Sequence, residues 1–335
     1  MTKLINIIFL ISIIIYSLFF QVVNAQEKIR IGLLVPMTGD NKEIGDSIIK
    51  AVGLAVKDID NDLIEIFPKD TAAKANQALK SAFELSEMGI KIVIGPVFYE
   101  SLTYLDEMKN LTFLSLTNKT LDLPQNVISA GINSTSQFNT IKKFLETNQI
   151  KKTIFLTPIQ DYEFEVKKGM KNSKIKIYKD YEYTTEPTKL TKQIEEITNY
   201  RIRKQNLEDE IKRIKNSNEP NKEKKIKRLE KRYTLGGLNF DAVVIADFDE
   251  SLKSVSTSLL YTDVLPKNKY FITLNQWFDE SLLNESDIQP LYYPSINKVN
   301  FDNYKIKYFN AFNEYPTHLS LLSYDLVGLV YYLST

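Results

Sequence analysis

The chain has 335 residues, 43% hydrophobic and 25% charged. That composition belongs to a globular protein of roughly two domains, not to a disordered chain or one that spans a membrane many times. With 43 Lys and Arg against 42 Asp and Glu, a single histidine (His318) and no cysteine, it excludes a uniformly basic nucleic-acid-binding surface. Disulfides, thiolate or multi-histidine metal sites, cysteine nucleophiles and lipidation through cysteine are excluded as well.

Residues 1–25 read as a secretory signal. Lys3 is the lone charge, an apolar stretch runs from Leu4 to Phe20, and Val23-Asn24-Ala25 supplies a small-x-small cleavage site before Gln26. The folded part is then expected outside the cytoplasm, with no stable membrane span once the signal is removed. Cleavage would leave a mature chain with 42 residues of each charge.

The next stretches alternate between β-rich and helical patterns. Ile29 to Pro36, Leu63 to Pro68, Ile90 to Pro96 and Thr112 to Thr117 read as strands. Helical spacing over 44–59, a run over 72–88 closed by Gly89 and a short run over 101–108 separate them. This order implies a parallel sheet covered by helices. After a helix at 136–147 the pattern restarts with strands at 152–158, 175–183, 241–247 and 269–274 and helices at 162–171 and 252–261. The expected organisation is lobe one over 28–148 plus 294–335, and lobe two over 149–293.

An insert at 187–233 interrupts lobe two. Leu190, Ile194 and Ile197, then Leu207, Ile211 and Ile214, then Ile226, Leu229 and Tyr233 keep helical spacing, and a break falls at 216–220. This pattern predicts a charged helical hairpin with a thin apolar seam. Its 201–232 segment holds 13 Lys and Arg and 6 Asp and Glu. Such a surface is either a solvated helix pair or a basic docking arm. As an arm it would present Arg203, Lys204, Lys212, Arg213, Lys224, Lys225 and Arg228 to a partner.

Several segments, taken in order, resemble leucine-binding-type periplasmic proteins of the type I periplasmic binding superfamily. They are IRIGLLVPMTG at 29–39, Gly45 with Gly53-Leu54-Ala55, IVIGP at 92–96, FLSLT at 113–117, the turn from Thr157 to Tyr162, and Ser323-Tyr324-Asp325. The resemblance spans about 28–333. It implies an α/β, two-lobed fold in which each lobe is a mostly parallel sheet flanked by helices. Three further features are similar to penicillin-binding protein activators: FPKDT at 67–71, the charged insert followed by YTLG at 233–236 and FDAVV at 240–244, and TLNQWFD at 273–279. Activators of that kind are lipoproteins, and this chain departs from them in having no cysteine to lipidate. Family members also usually continue some tens of residues past the final helix, so the resemblance implies a further segment after Thr335.

Catalytic motifs are missing from the sequence. There is no Gly-x-Ser-x-Gly, no Walker-type loop and no Gly-x-Gly-x-x-Gly, and no cofactor is expected. Asp58, Asp60 and Asp62 open like a calcium loop, but Leu63 occupies the position that needs glycine, so they read as solvated acids at a helix end. His318 reads as a residue at a helix N-terminus. Open α/β sheets bind ligands beyond the carboxyl ends of their strands. The expected cleft residues are therefore Thr38, Tyr99, Ser101, Thr117, Asn118, Tyr162, Asp247 and Trp277. The resemblance implies that an amino-acid receptor would bind ligand through hydroxyls and backbone after strands three and four plus an acid from lobe two. Here Phe98, Tyr99, Glu163 and Trp277 alter that pattern. Besides a ligand sensor for a receptor kinase, two readings stay open, both of a non-enzyme. One is a periplasmic regulator of peptidoglycan synthesis that contacts a peptidoglycan synthase. The other is the substrate-binding subunit of an ABC importer for branched-chain or other amino acids, read by a permease.

Overall fold

The computed structural model describes residues 28–59, 63–160, 162–275 and 285–335. The first sheet contains β1 (Ile29–Val35), β2 (Ile64–Asp70), β3 (Ile92–Ile94), β4 (Thr112–Ser115) and β5 (Val127–Ser129), in the order β2-β1-β3-β4-β5. The second contains β6 (Thr153–Pro158), β7 (Lys179–Tyr183), β8 (Ala242–Ile245), β9 (Tyr270–Thr273) and β10 (Leu291–Tyr292), in the order β10-β9-β8-β6-β7. All pairings are parallel and the two orders are equivalent, so the chain builds the same sheet twice. The short strands β5 and β10 carry too little apolar sequence to be read in advance.

Alternation within the strands explains why both faces are buried. In β6, Ile154 and Leu156 face one layer of helices and Phe155 faces the other. In β8, Val243 and Ile245 oppose Ala242 and Val244 in the same way. Each such aliphatic side chain, removed from water, stabilises the fold by about 1.5–3 kcal/mol. In lobe one the sheet is covered by α1 (Lys42–Ile59) on one face and α2 (Ala75–Glu87) on the other. The predicted helix at 101–108 is instead two short 3-10 turns, Tyr99–Leu102 and Leu105–Glu107.

Among the described residues the chain passes between the lobes twice. After β5 it enters α3 (Ser134–Thr147), which the sequence reading placed in lobe one. The apolar face of α3, Phe138, Ile141 and Leu145, packs into the second sheet's core beside α4 (Glu163–Ser173), so this helix belongs to lobe two. After β10 the chain returns through α9 (Lys298–Phe312) and α10 (His318–Ser334), which pack on α1. Asp58 joins that packing. It accepts hydrogen bonds from Lys307 Nζ (2.8 Å) and the Tyr324 hydroxyl (2.5 Å). Burial raises its carboxyl pKa, but these two bonds outweigh burial and hold it below the usual carboxylate value. Asp60 and Asp62 lie outside the described residues.

The insert divides into two parts. α5 (Pro187–Ile197) buries Leu190 and Ile194 in the lobe-two core with α8 (Asp249–Tyr261), so it is the crossover helix between β7 and β8. Only α6 (Tyr200–Lys215) and α7 (Lys222–Leu229) form the hairpin. They close on a small core of Leu207, Ile214 and Leu229, flanked by Ile211, Ile226 and Leu235. Among the described residues no helix is long and apolar enough to cross a membrane.

Candidate functional site

The ends of β3 and β4 in lobe one face the starts of α3 and α4 and the end of β8 in lobe two. Two cavities of about 860 Å³ and 990 Å³ lie between them and share Tyr99, Asn118, Lys119, Ile132, Gln137 and Phe248 as walls. Thr117, Phe98 and His318 line the first; Tyr162, Phe164 and Glu165 line the second. This is the size of a small-molecule pocket with an aromatic, partly cationic lining. Lys119 Nζ sits 4.3 Å from the centre of the Tyr99 ring, a cation–π contact. His318, the first residue of α10, stacks on Phe301 at 5.5 Å.

Of the expected cleft residues, Tyr99, Thr117, Asn118 and Tyr162 come together on these walls. Thr38 does not line them. Its hydroxyl donates to Asp70 Oδ2 (2.6 Å), while Asp70 Oδ1 accepts from the Met37 and Ala72 amides, so Thr38 fastens the β1 and β2 ends together. Burial raises the Asp70 carboxyl, but the bonds from Thr38, Ala72 and Met37 outweigh it and hold its pKa low. Ser101 is buried within the 3-10 turn Tyr99–Leu102, and its hydroxyl has no hydrogen-bond partner among the described residues. Trp277 lies outside the described residues.

Asp247 is near the cleft but does not face it. It is 1% exposed. Oδ1 accepts from the Tyr162 hydroxyl (2.6 Å) and the Phe248 amide (2.8 Å). Oδ2 accepts from the Tyr183 hydroxyl and from Ser251 Oγ (2.5 Å). Four donors fill the acceptor sites of a carboxylate. Asp247 is therefore an internal anchor for β7, α4 and α8 and has no site left for a ligand's ammonium group. Burial, and then the facing Asp247 charge, pushes the Tyr183 phenol's pKa far up.

The sequence reading passed over Glu165. From α4 of lobe two it reaches the loop after β4 in lobe one, accepting from the Thr120 amide (2.7 Å), the Thr120 hydroxyl (2.7 Å) and the Leu121 amide (2.6 Å). Lys168 Nζ donates to Thr120 O (2.7 Å) beside it. Beneath this latch α3 and α4 touch: a Cβ on Gly169 would lie 2.6 Å from Ser134, so only glycine fits. Lobe-one backbone is thus tied to lobe two by charge-assisted bonds.

On the hairpin, Arg203 requires correction as a partner-facing residue. It is 6% exposed. Its guanidinium donates to Thr262 O (3.1 Å), Thr234 Oγ1 (2.7 Å), Thr198 O (3.5 Å) and Asp263 O (3.4 Å), bolting α6 to the lobe-two body. Arg213 is held by Glu210 and Glu219, and Lys225 by Glu219, so these two cations are neutralised within the hairpin. Lys204, Lys212, Lys224 and Arg228 are exposed, with no ion pair among the described residues.

Residues 28–201, just over half the chain, match the family described as periplasmic binding protein. The chain belongs to the periplasmic binding protein family. No curated protein sequence matches it. Solved structures of this type superpose on it. The C-domain of LpoA from Haemophilus influenzae, a regulator of PBP1A, gives a TM-score of 0.60 at 14% identity, covering 91% of this chain and 86% of that one. A putative branched-chain amino acid ABC transporter protein from Rhodospirillum rubrum gives 0.63 at 12% identity, covering 90% and 82%. A branched chain amino acid ABC transporter periplasmic ligand-binding protein from Burkholderia xenovorans LB400 gives 0.58 at 12% identity, covering 90% and 76%. At these identities the likeness establishes the periplasmic binding protein fold, with two lobes and two parallel sheets, and both kinds of protein that the sequence resembles are represented.

Proposed function

We propose that this protein is a non-catalytic periplasmic regulator, similar in role to penicillin-binding protein activators, that acts through contacts with a peptidoglycan synthase. One observation carries the reading: Asp247, the lobe-two acid at the cleft, is saturated by Tyr162, Tyr183, Ser251 and the Phe248 amide. An amino-acid receptor needs such an acid available to pair with the ligand's ammonium, because a buried charge left unpaired costs more than binding returns. The Glu165 latch supports the same reading, since a receptor that signals by closing must let its lobes move.

The exposed hairpin cations Lys204, Lys212, Lys224 and Arg228 form the contact surface in this proposal. Reversing all four to Glu is expected to abolish capture of a purified peptidoglycan synthase while leaving the melting temperature unchanged. Undiminished capture would sink the hairpin's role. The second reading, an importer subunit, is favoured by the cavity of about 860 Å³ with Lys119 and Asn118 on its wall. Saturable calorimetric binding of any proteinogenic amino acid would favour the importer over the regulator.

A further inference from the structure

A second concavity, of about 650 Å³, lies at the base of the hairpin on the lobe-two body, lined by residues of the 231–238 and 263–269 segments and by Arg203. None of its lining residues lines either cleft cavity. Its charge is one-sided. Arg203, Lys231, Arg232, Lys267 and Lys269 converge on it, against one carboxylate among the described residues, that of Asp263. Asp263 is already engaged: it accepts from Thr234 Oγ1 (2.5 Å) and sits 3.7 Å from Arg203. Lys269 donates to the Phe240 carbonyl. Lys231, Arg232 and Lys267 are exposed and carry no ion pair among the described residues.

Two features separate this place from an ordinary solvated surface. The first is Arg203, whose Nε is buried with no hydrogen-bond partner among the described residues, although the rest of the guanidinium is satisfied. The second is the wall made by Gly236 and Gly237. No atom lies within 4 Å of where a Cβ on Gly237 would stand, and Gly236 has φ +127°. No side chain from this wall fills the space. Five cations lining one pocket of about 650 Å³ raise each other's energy unless an anion joins them. At the hairpin tip the same problem is solved internally, by Glu210 and Glu219.

We propose that this pocket binds a multiply charged phosphate oxyanion of the diphosphate class, either free or as a lipid headgroup. Lys231, Arg232 and Lys267 hold its oxygens, and Arg203 supplies a fixed positive floor. A planar guanidinium and mobile ammonium groups suit phosphate oxygens, and the volume exceeds what a single phosphate fills. The site lies outside the cleft and stands independently of the regulatory reading.

Titration calorimetry of the full chain with inorganic pyrophosphate, at about 0.1 M ionic strength, tests it. Saturable one-to-one binding is expected. The double variant Lys231→Glu, Lys267→Glu should weaken it by about tenfold or more, equivalent to about 1.4 kcal/mol, with the circular dichroism spectrum and melting temperature retained. The double variant Lys215→Glu, Lys227→Glu, on the outer hairpin surface, should bind as the unaltered chain does. Absence of saturable binding in the folded unaltered protein overturns the proposal, and so does equal loss in both double variants, which would mean diffuse charge attraction. Sedimentation with phosphatidylcholine vesicles carrying a polyprenyl diphosphate, against phosphatidylcholine vesicles alone, distinguishes the source. Vesicle binding displaced by pyrophosphate assigns a headgroup, and pyrophosphate binding without vesicle binding assigns a free ligand. Vesicle binding that neither pyrophosphate nor the Lys231 and Lys267 reversals affects lies elsewhere on the protein, and saturable pyrophosphate binding beside it again assigns a free ligand.

Discussion

Asp247 and Arg203 are both buried charges in lobe two, and their surroundings treat them differently. The Asp247 carboxylate meets four donors, one for each acceptor direction, contributed by β7, α4 and α8. The Arg203 guanidinium has five N–H donors; its Nε is unmatched, and it stands beside further cations instead of an excess of acids. A completed polar network fixes structure and leaves nothing for a ligand. Arg203 lies in the wall of an open pocket ringed by further cations, so it is its charge, and not its buried Nε, that the pocket presents to an outside group. By this comparison the cleft acid is architecture and the hairpin base is the more open site.

Three substitutions test the contrast, in decreasing order of expected effect. Arg203→Ala removes the bolt and leaves Asp263 and the Thr262 and Thr198 carbonyls short of donors. A loss of about 3 kcal/mol in urea unfolding is expected, with fast amide exchange across α6. An unchanged unfolding midpoint would show that the hairpin is held by its apolar seam alone. Asp247→Asn keeps the shape but replaces an acceptor oxygen with a donor facing two hydroxyls. About 2 kcal/mol should be lost, with no gain in amino-acid binding. If the variant kept full stability, the four-donor network would not be an anchor. Glu165→Gln weakens the latch between the lobes by about 1 kcal/mol. The clearest readout is hydrogen exchange at the Thr120 and Leu121 amides, which should quicken while the two sheets stay protected. Equal protection in the variant would mean that the latch does not hold the lobes.

Much of the fold was legible in residue patterns. IRIGLLV, IVIGP and AVVIA are runs that only a doubly covered strand accommodates, and the repeat of strand–helix order announced two equivalent sheets. The seam of Leu207, Ile214 and Leu229 was legible for the same reason, because burial imposes a period. The misplaced pieces depended on partners far along the chain. The apolar stripe of α3 fits either lobe equally well until Phe155 and Met170 are seen against it. Asp247 looks available until Tyr162, Tyr183 and Ser251 converge from three elements. Arg203 sits in a basic run, and nothing local shows that it turns inward toward Thr262 and Thr234 while Lys204 turns out. Glu165 carried no signal, because its partners, two backbone amides and the Thr120 hydroxyl, lie in the other lobe some 45 residues away.

The hairpin leaves and rejoins the lobe at nearly one point. The Leu235 amide donates to Arg203 O (2.9 Å), and Thr198, Thr234 and Thr262 meet around the same side chain. Entry and exit strands that touch make the excursion between them a closed loop, whose length adds little entropic cost. Beyond that gate its residues pack chiefly on one another. The arm can therefore be lengthened, shortened or exchanged for another without disturbing β7, β8 or the parallel sheet they share, so its surface is free to diverge while the body that carries it stays the same.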